Sequence, residues 1–460
     1  MMRVLATLAV AGALALGVLG ACAIERTGLP PPVHDLYYPL GVAAHPGGRY
    51  VYVSNTNYDL KYNAGYVSTI DLDAVKTAAD LDAKDPWNLH AIIGSKTTLA
   101  FGGLPAFNAD ASRMFLPTRQ NDSMFIFDVA ADGSSISCGN GGFTPHVACD
   151  TNHAYHLSGA QFDASLDDTV TLDPYSIAIG PVFNGLPGEF LYVGYLSAGT
   201  VTIFDIGKNS LTNPNGFAAV ALLGKNLPTA GAGLSQSPFS LITSNGIGAI
   251  TVSGGANRKA FVYAGSRTLT TVNNSNSLPP PVLYYFDSSL AVTGSGSVGA
   301  IDLTSIVGGT DVKGLTSSPD GKFTYAIMAN PDSLLQMDTS LDSSGNPRNA
   351  FLNAANLESQ AQTALYVKRS SGHDLLYVSS FGTNSITIFD ALTLAQVGEI
   401  LTVSAGPSGL AVAYRANGPY VIASYFADDA VVVIDATSPD PAQHHAIARI
   451  GQPRVVKDPT

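Results

Sequence analysis

From residue 40 onward the chain is written in short runs that alternate apolar with polar or small positions, each run bounded by Gly, Pro, Asn or Asp. A period of two belongs to strands with one buried face, and the bounding residues are those that turns require. The clearest unit joins an aromatic strand, Tyr50-Val51-Tyr52-Val53-Ser54-Asn55, to an alternating strand that closes on aspartate, Val67-Ser68-Thr69-Ile70-Asp71. It returns at 114–116 with 124–128, 190–193 with 201–205, 261–264 with 283–287, 323–326 with 334–338, 375–378 with 386–390 and 420–423 with 431–435. The seven closing residues are Asp71, Asp128, Asp205, Asp287, Asp338, Asp390 and Asp435. An apolar, Gly-containing inner strand precedes several units, joined through turns such as His45-Pro46-Gly47-Gly48 and Ser318-Pro319-Asp320-Gly321. An outer strand follows the aspartate, most plainly at 395–400 and 445–450. Four antiparallel strands in each of seven units predict an all-β, seven-bladed β-propeller over 37–453. The last strand completes the seventh blade by itself, so the first and last blades are expected to close the ring by packing.

The intervals between closing aspartates are 57, 77, 82, 51, 52 and 45 residues, and only the last has the length of a plain blade. Insertions are therefore expected in the early blades, at 72–104 with a predicted helix from Ala74 to Leu81, and at 133–173, 207–237 and 266–281. Composition supports the helix-poor reading: of 35 acids only Glu25, Glu189, Glu358 and Glu399 are glutamates, and aspartate favours turns and caps over helix interiors. A net charge of -12 with no run of Lys or Arg argues against a nucleic-acid partner.

The first residues carry an address. Arg3 precedes an uncharged stretch from Val4 to Leu19, too short to span a bilayer comfortably and suited to a signal peptide. Leu19-Gly20-Ala21-Cys22 then resembles the lipobox of bacterial lipoproteins. That resemblance implies removal of 1–21, lipidation at Cys22, an extended tether over 22–36 and a short tail over 454–460 beyond the propeller. Several acyl chains would hold such a protein at a membrane stably. Ala23 in place of aspartate after the cysteine implies the outer membrane, on its periplasmic or surface face.

Cys138 and Cys149 remain, and in an exported protein they are expected to form a disulfide. The alternative is a metal site of Cys138, Cys149, His153 and His156, although ten residues between the cysteines exceed the usual ligand spacing. Carboxylates of the same segment, Asp150, Asp163, Asp167, Asp168 and Asp173, offer hard ligands for calcium but no EF-hand loop. The seven repeat aspartates share one position after a strand, where a carboxylate accepts the N–H two residues on and fixes a turn. A ring of carboxylates for metal or acid-base chemistry is the competing reading. The repeat aromatics are expected as core between blades, with an aromatic ligand platform as the alternative.

The Tyr-Val-Ser-Asn of the first unit, the Tyr-Val of the third and sixth, and the Ile/Phe-Asp endings resemble the YVTN family of propeller repeats, found in bacterial exported proteins and archaeal surface-layer proteins. No nucleophile elbow, phosphate loop, dinucleotide fingerprint or zinc-protease motif occurs. The expected function is a non-catalytic, membrane-anchored binding or scaffold module for an envelope protein or glycan, without a cofactor. The alternative is a hydrolase of the lactonase type, whose residues would converge in the central funnel from different blades.

Overall fold

A computed structural model describes residues 28–139, 149–180, 189–207, 217–224, 246–254, 259–267, 281–290, 298–303, 306 and 309–454. The strands, from Pro39 to Ile450, form seven small antiparallel sheets set in a ring, a seven-bladed β-propeller. Six sheets are four-stranded and run from inner to outer strand in chain order. The seventh, blade two, counts five strands because its outer strand is broken into Ile136–Ser137 and Ala154–His156, both paired with Ser123–Val129. Among the described residues helix is confined to short turns.

Each second strand places one residue at its middle and aims it into the next blade. Tyr52, Tyr192, Tyr263, Tyr325 and Tyr377 hold this position and are fully buried. Their side chains cross the seam between blades, and most end on the turn that joins third and outer strand of the neighbour. Tyr52 Oη donates to the Gly133 carbonyl. Tyr263 Oη donates to Asn349 Oδ1 at 2.7 Å, and Tyr325 Oη to the Ala391 carbonyl at 2.7 Å. Tyr377 Oη meets His444 Nδ1 at 2.7 Å. His444 Nε2 lies 2.9 Å from the Ser438 carbonyl, which can only accept, so the proton sits on Nε2 and Nδ1 receives the phenol. Burial raises the pKa of all five phenols, which keeps them donors.

The repeat aspartates shape the receiving turns. Six of the seven accept the backbone N–H two residues on: Asp71 from Asp73, Asp205 from Gly207, Asp287 from Ser289, Asp338 from Ser340, Asp390 from Leu392 and Asp435 from Thr437, at 2.9–3.0 Å. Asp128 differs. Its strand continues to Val129, the turn is set by Asp132 accepting from Ser134, and Asp128 meets Arg113 and His153 instead.

The first and last blades join without a tyrosine, since Ile422 holds the position on blade seven. An apolar seam replaces it, with Val51, Ile70 and Ile92 of blade one against Ile422, Val433 and Ile450. Blade seven takes all four strands from the C-terminal segment, so the ring is closed by packing. Polar clasps flank the seam: Asp429 accepts from Tyr38 N at 2.7 Å and pairs with Arg454, and Gly451 N donates to the Trp87 carbonyl at 3.0 Å. Residues 29–36, the end of the segment read as a tether, lie on this joint. Leu29 bridges to Tyr62, His34 bonds the Ile92 carbonyl at 2.7 Å and Leu36 is fully buried.

The helix expected from Ala74 to Leu81 is not formed; the segment is a series of turns and extended residues. Its backbone groups are claimed by tertiary partners: Asn88 bonds both N and O of Lys76, and Ala78 N donates to the Ile447 carbonyl. The insertion expected at 133–173 is also less free than its length implies, because it contains both pieces of blade two's outer strand.

Two outcomes test the tyrosine latch. Tyr263→Phe, which takes the donor from partly buried Asn349 Oδ1, is expected to lower unfolding free energy by about 1 kcal/mol in a urea titration. Burial lowers the His444 pKa below the ordinary histidine value. The unfolded chain then takes up the proton first as pH falls, so stability due to His444 is complete above about pH 6.5 and is lost on acidification through the lowered value. Urea titrations from pH 7.5 to 5 should show that decline in the native chain and a shallower one in His444→Gln.

Candidate functional site

The inner strands crowd the central axis. A Cβ on Gly41 would stand 2.4 Å from the Gly103 carbonyl oxygen, and one on Gly409 2.4 Å from that of Leu40, so glycine is required where these backbones meet. This crowding explains the Gly-containing inner strands of the sequence.

Toward one end of the axis the inner strands change register. The pairing of inner with second strand slips between Pro39 and Gly41, Pro174 and Ser176, Ile247 and Ala249, Val312 and Gly314, Ala361 and Ala364, and Pro407 and Leu410. A β-bulge re-aims the extra residue out of the sheet. The residues released, among them Leu40, Tyr175, Lys313 and Gln362, line the axis. There the channel opens into a funnel of about 350 Å³, to which every blade contributes. The loops between second and third strands complete its rim, with Tyr58, Arg119, Arg267 and Phe426 at or beside their ends. Below it the channel narrows to about 70 Å³ between Ile250, Leu315 and Ser408.

Aromatic and cationic side chains characterise the lining. Tyr58 and Phe426 pack at 5.4 Å between ring centroids, and Tyr58 and Phe101 at 6.1 Å. Arg119 pairs with Asp173 at 3.1 Å. Burial pushes the Tyr175 phenol up, while Arg119 and Arg267 draw it down. Among the described lining residues Asp311 is the one carboxylate, and there is no histidine or glutamate.

Among the described residues, none of the candidate ligands singled out from sequence lies in this lining, although the insertions expected at 72–104 and 266–281 supply Phe101, Gly102 and Arg267 to it. Cys22 falls outside the described residues. The repeat aspartates sit at turns toward the opposite end of the blades, and the repeat tyrosines lie between blades. Cys138 and Cys149 are joined by a disulfide, with Cys138 buried beneath Phe125, Phe127 and Ile136. The sulfurs are thus not thiolate ligands. His153 bonds Asp150 at 2.6 Å and Asp128 at 3.1 Å; His156 bonds the Asn121 carbonyl at 2.9 Å and Asp168 at 3.2 Å. The latter two bonds hold the His156 pKa above its ordinary value. Asp163 and Asp167 accept from backbone N–H groups two residues on. Among the described residues no group of three or more His, Cys, Asp or Glu is placed to hold a metal ion.

No protein-family model matches the chain, and no curated protein matches it in sequence. The fold is similar to that of a solved structure, dihydro-heme d1 dehydrogenase NirN in complex with DHE, at 12% identity and a TM-score of 0.50. The match covers 94% of this chain and 66% of that one, so the chain spans about two thirds of its length. At this identity the likeness is one of fold alone.

The disulfide closes a short loop, its cysteines 11 positions apart in sequence. Chain entropy gives such a link about 3 kcal/mol. Reduction, or Cys138→Ser with Cys149→Ser, should lower the thermal midpoint by several degrees while the β-sheet circular dichroism below the transition stays unchanged.

Proposed function

We propose that this chain is a lipid-anchored propeller of the YVTN-repeat type that binds another component of the cell envelope, a protein or glycan, through the face on which the funnel opens. The observation that carries the reading is the funnel itself, a rimmed cavity fed by all seven blades and lined with aromatic and cationic groups. Aromatic faces and arginine are the side chains that recognition sites favour. The hydrolase alternative finds no acid-base set in the described lining, where Asp311 stands as the single carboxylate.

The lipobox resemblance supports the anchor, and the place where the described chain begins supports a direction for it. Leu29 pairs with Tyr62 in the loop that also supplies Thr56 and Tyr58 to the funnel. Six residue steps separate Cys22 from Gly28, a reach of roughly 20 Å when extended. A lipid on Cys22 would therefore hold the mouth toward the membrane, with exposed Leu29, Tyr58 and Leu60 on the near side.

Cys22→Ser should leave the precursor uncleaved by lipoprotein signal peptidase or release the protein in soluble form; mature, membrane-held protein in that variant would overturn the anchor. In cross-linking on intact envelopes, Tyr58→Ala with Arg267→Gln should lose the partner species, whereas Cys138→Ser with Cys149→Ser, on the far side of blade two, should retain it. The opposite pattern would move the binding face to the disulfide loop.

A further inference from the structure

The funnel is divided by chemistry. Blades seven, one and two form an aromatic wall, in which Tyr58 lies 5.4 Å from Phe426 and 6.1 Å from Phe101. Blades two, four and five supply Arg119, Arg267 and Lys313, three cations against the carboxylate of Asp311, inside a chain of net charge -12. Arg119 is committed to Asp173. Arg267 and Lys313 have no ion pair or side-chain hydrogen bond among the described residues, and both are partly buried. Lys313 is the residue its inner strand releases at the bulge between Val312 and Gly314, so the backbone turns it onto the axis. A cation held on a re-aimed strand residue, facing an aromatic wall and without an ion pair among the described residues, is matched by a ligand that carries both an acid and a flat apolar part.

We propose that the funnel binds a small organic anion with a flat apolar body. The acid sits between Arg267 and Lys313, and the body lies against Tyr58, Phe101 and Phe426. A volume of about 350 Å³ suits one or two fused rings rather than a polymer chain. A carboxylate, sulfonate or phosphate meets the same pair of cations, and the three share this geometry. The inference rests on the funnel alone and does not require lipidation or a macromolecular partner.

The test is calorimetric titration of the purified chain with naphthalene-2-sulfonate, with 2-naphthalenemethanol as the same rings without charge and sulfate as charge without rings. The sulfonate should bind at least tenfold more tightly than either. Arg267→Gln with Lys313→Gln should weaken it at least tenfold and leave the neutral alcohol unchanged; neither side chain supports the fold, and circular dichroism melts verify this. Tyr58→Ala should weaken both aromatic probes. Naphthalene-2-carboxylate and naphthyl phosphate, run in parallel, assign the preferred acid by their order of affinity. Equal binding of sulfonate and alcohol, an unchanged sulfonate affinity in the double glutamine variant, or tighter binding of glucuronate than of the sulfonate would overturn the proposal. Sulfonate binding by a native chain that yields no cross-linked envelope partner would count against the proposed function and leave this inference standing.

Discussion

The contact on which the ring depends is the reach of a buried phenol from the middle of one blade to the turn of the next, made by Tyr52, Tyr263, Tyr325 and Tyr377. A propeller blade is a small sheet with two faces to cover, and neighbouring blades cover them for each other. Apolar packing alone would leave their relative rotation loosely set. A tyrosine at the seam supplies both the packing area and a directed bond, because its hydroxyl must find an acceptor once water is gone. The acceptor has to be held still, and that is the part played by the repeat aspartate. Asp390, by accepting from Leu392 and Thr393, fixes the turn that presents the Ala391 carbonyl to Tyr325 and to Gln336. The two most regular residues of the repeat are thus halves of one contact, made between successive copies rather than within one.

Where the latch is absent another interaction takes its place. Blade two has Phe115, which cannot donate, and its ring stacks on Phe217 of blade three at 6.4 Å. Blade seven has Ile422, and its seam to blade one is apolar at the centre and clasped at the edges by segments from both chain ends. Tyr38, Asp429 and Arg454 are far apart in sequence, yet the Arg454 guanidinium lies 3.4 Å from the Tyr38 ring centroid while pairing with Asp429. Closing a ring joins its two most distant parts and carries the largest loop-closure entropy of any seam in it. Among the described residues this seam carries the Arg454–Asp429 and Arg415–Asp73 ion pairs.

The number and kind of blades could be read from the chain because alternation and closing aspartates are local signals. The same locality explains what could not be read. A bulge is a backbone event, and the residues it releases here, Leu40, Tyr175, Lys313 and Gln362, share no side-chain type that would mark them. The funnel cations are 148 and 46 residues apart, so no run of basic residues announces them, and the net acidity of the chain conceals a local reversal of sign. At 74–81 the composition suits a helix, but the backbone groups of Lys76 and Ala78 are engaged by Asn88 and Ile447, and tertiary bonds override propensity. The segment with most of the conspicuous chemistry, 133–173, spends its cysteines on a link and, among the described residues, His153 and His156 on hydrogen bonds to Asp150 and Asp168.

The fold thereby separates two demands that often compete. Residues that hold the ring lie between blades or at the turns beyond the outer end of the latch, where the repeat keeps them alike. Residues that face the funnel are released by bulges at the other end of the inner strands, where a change of side chain alters neither the ladder of the sheet nor the seam. A bulged position needs only a backbone that can leave the ladder, so leucine, tyrosine, lysine and glutamine are equally admissible there. The crowded glycines just below, such as Gly41 and Gly409, keep the channel narrow and give the funnel a floor. The floor would stop a ligand at the depth where Lys313 and Arg267 stand, so the depth of the cavity is set by backbone contact and the character of its lining by side chains that the ring does not need.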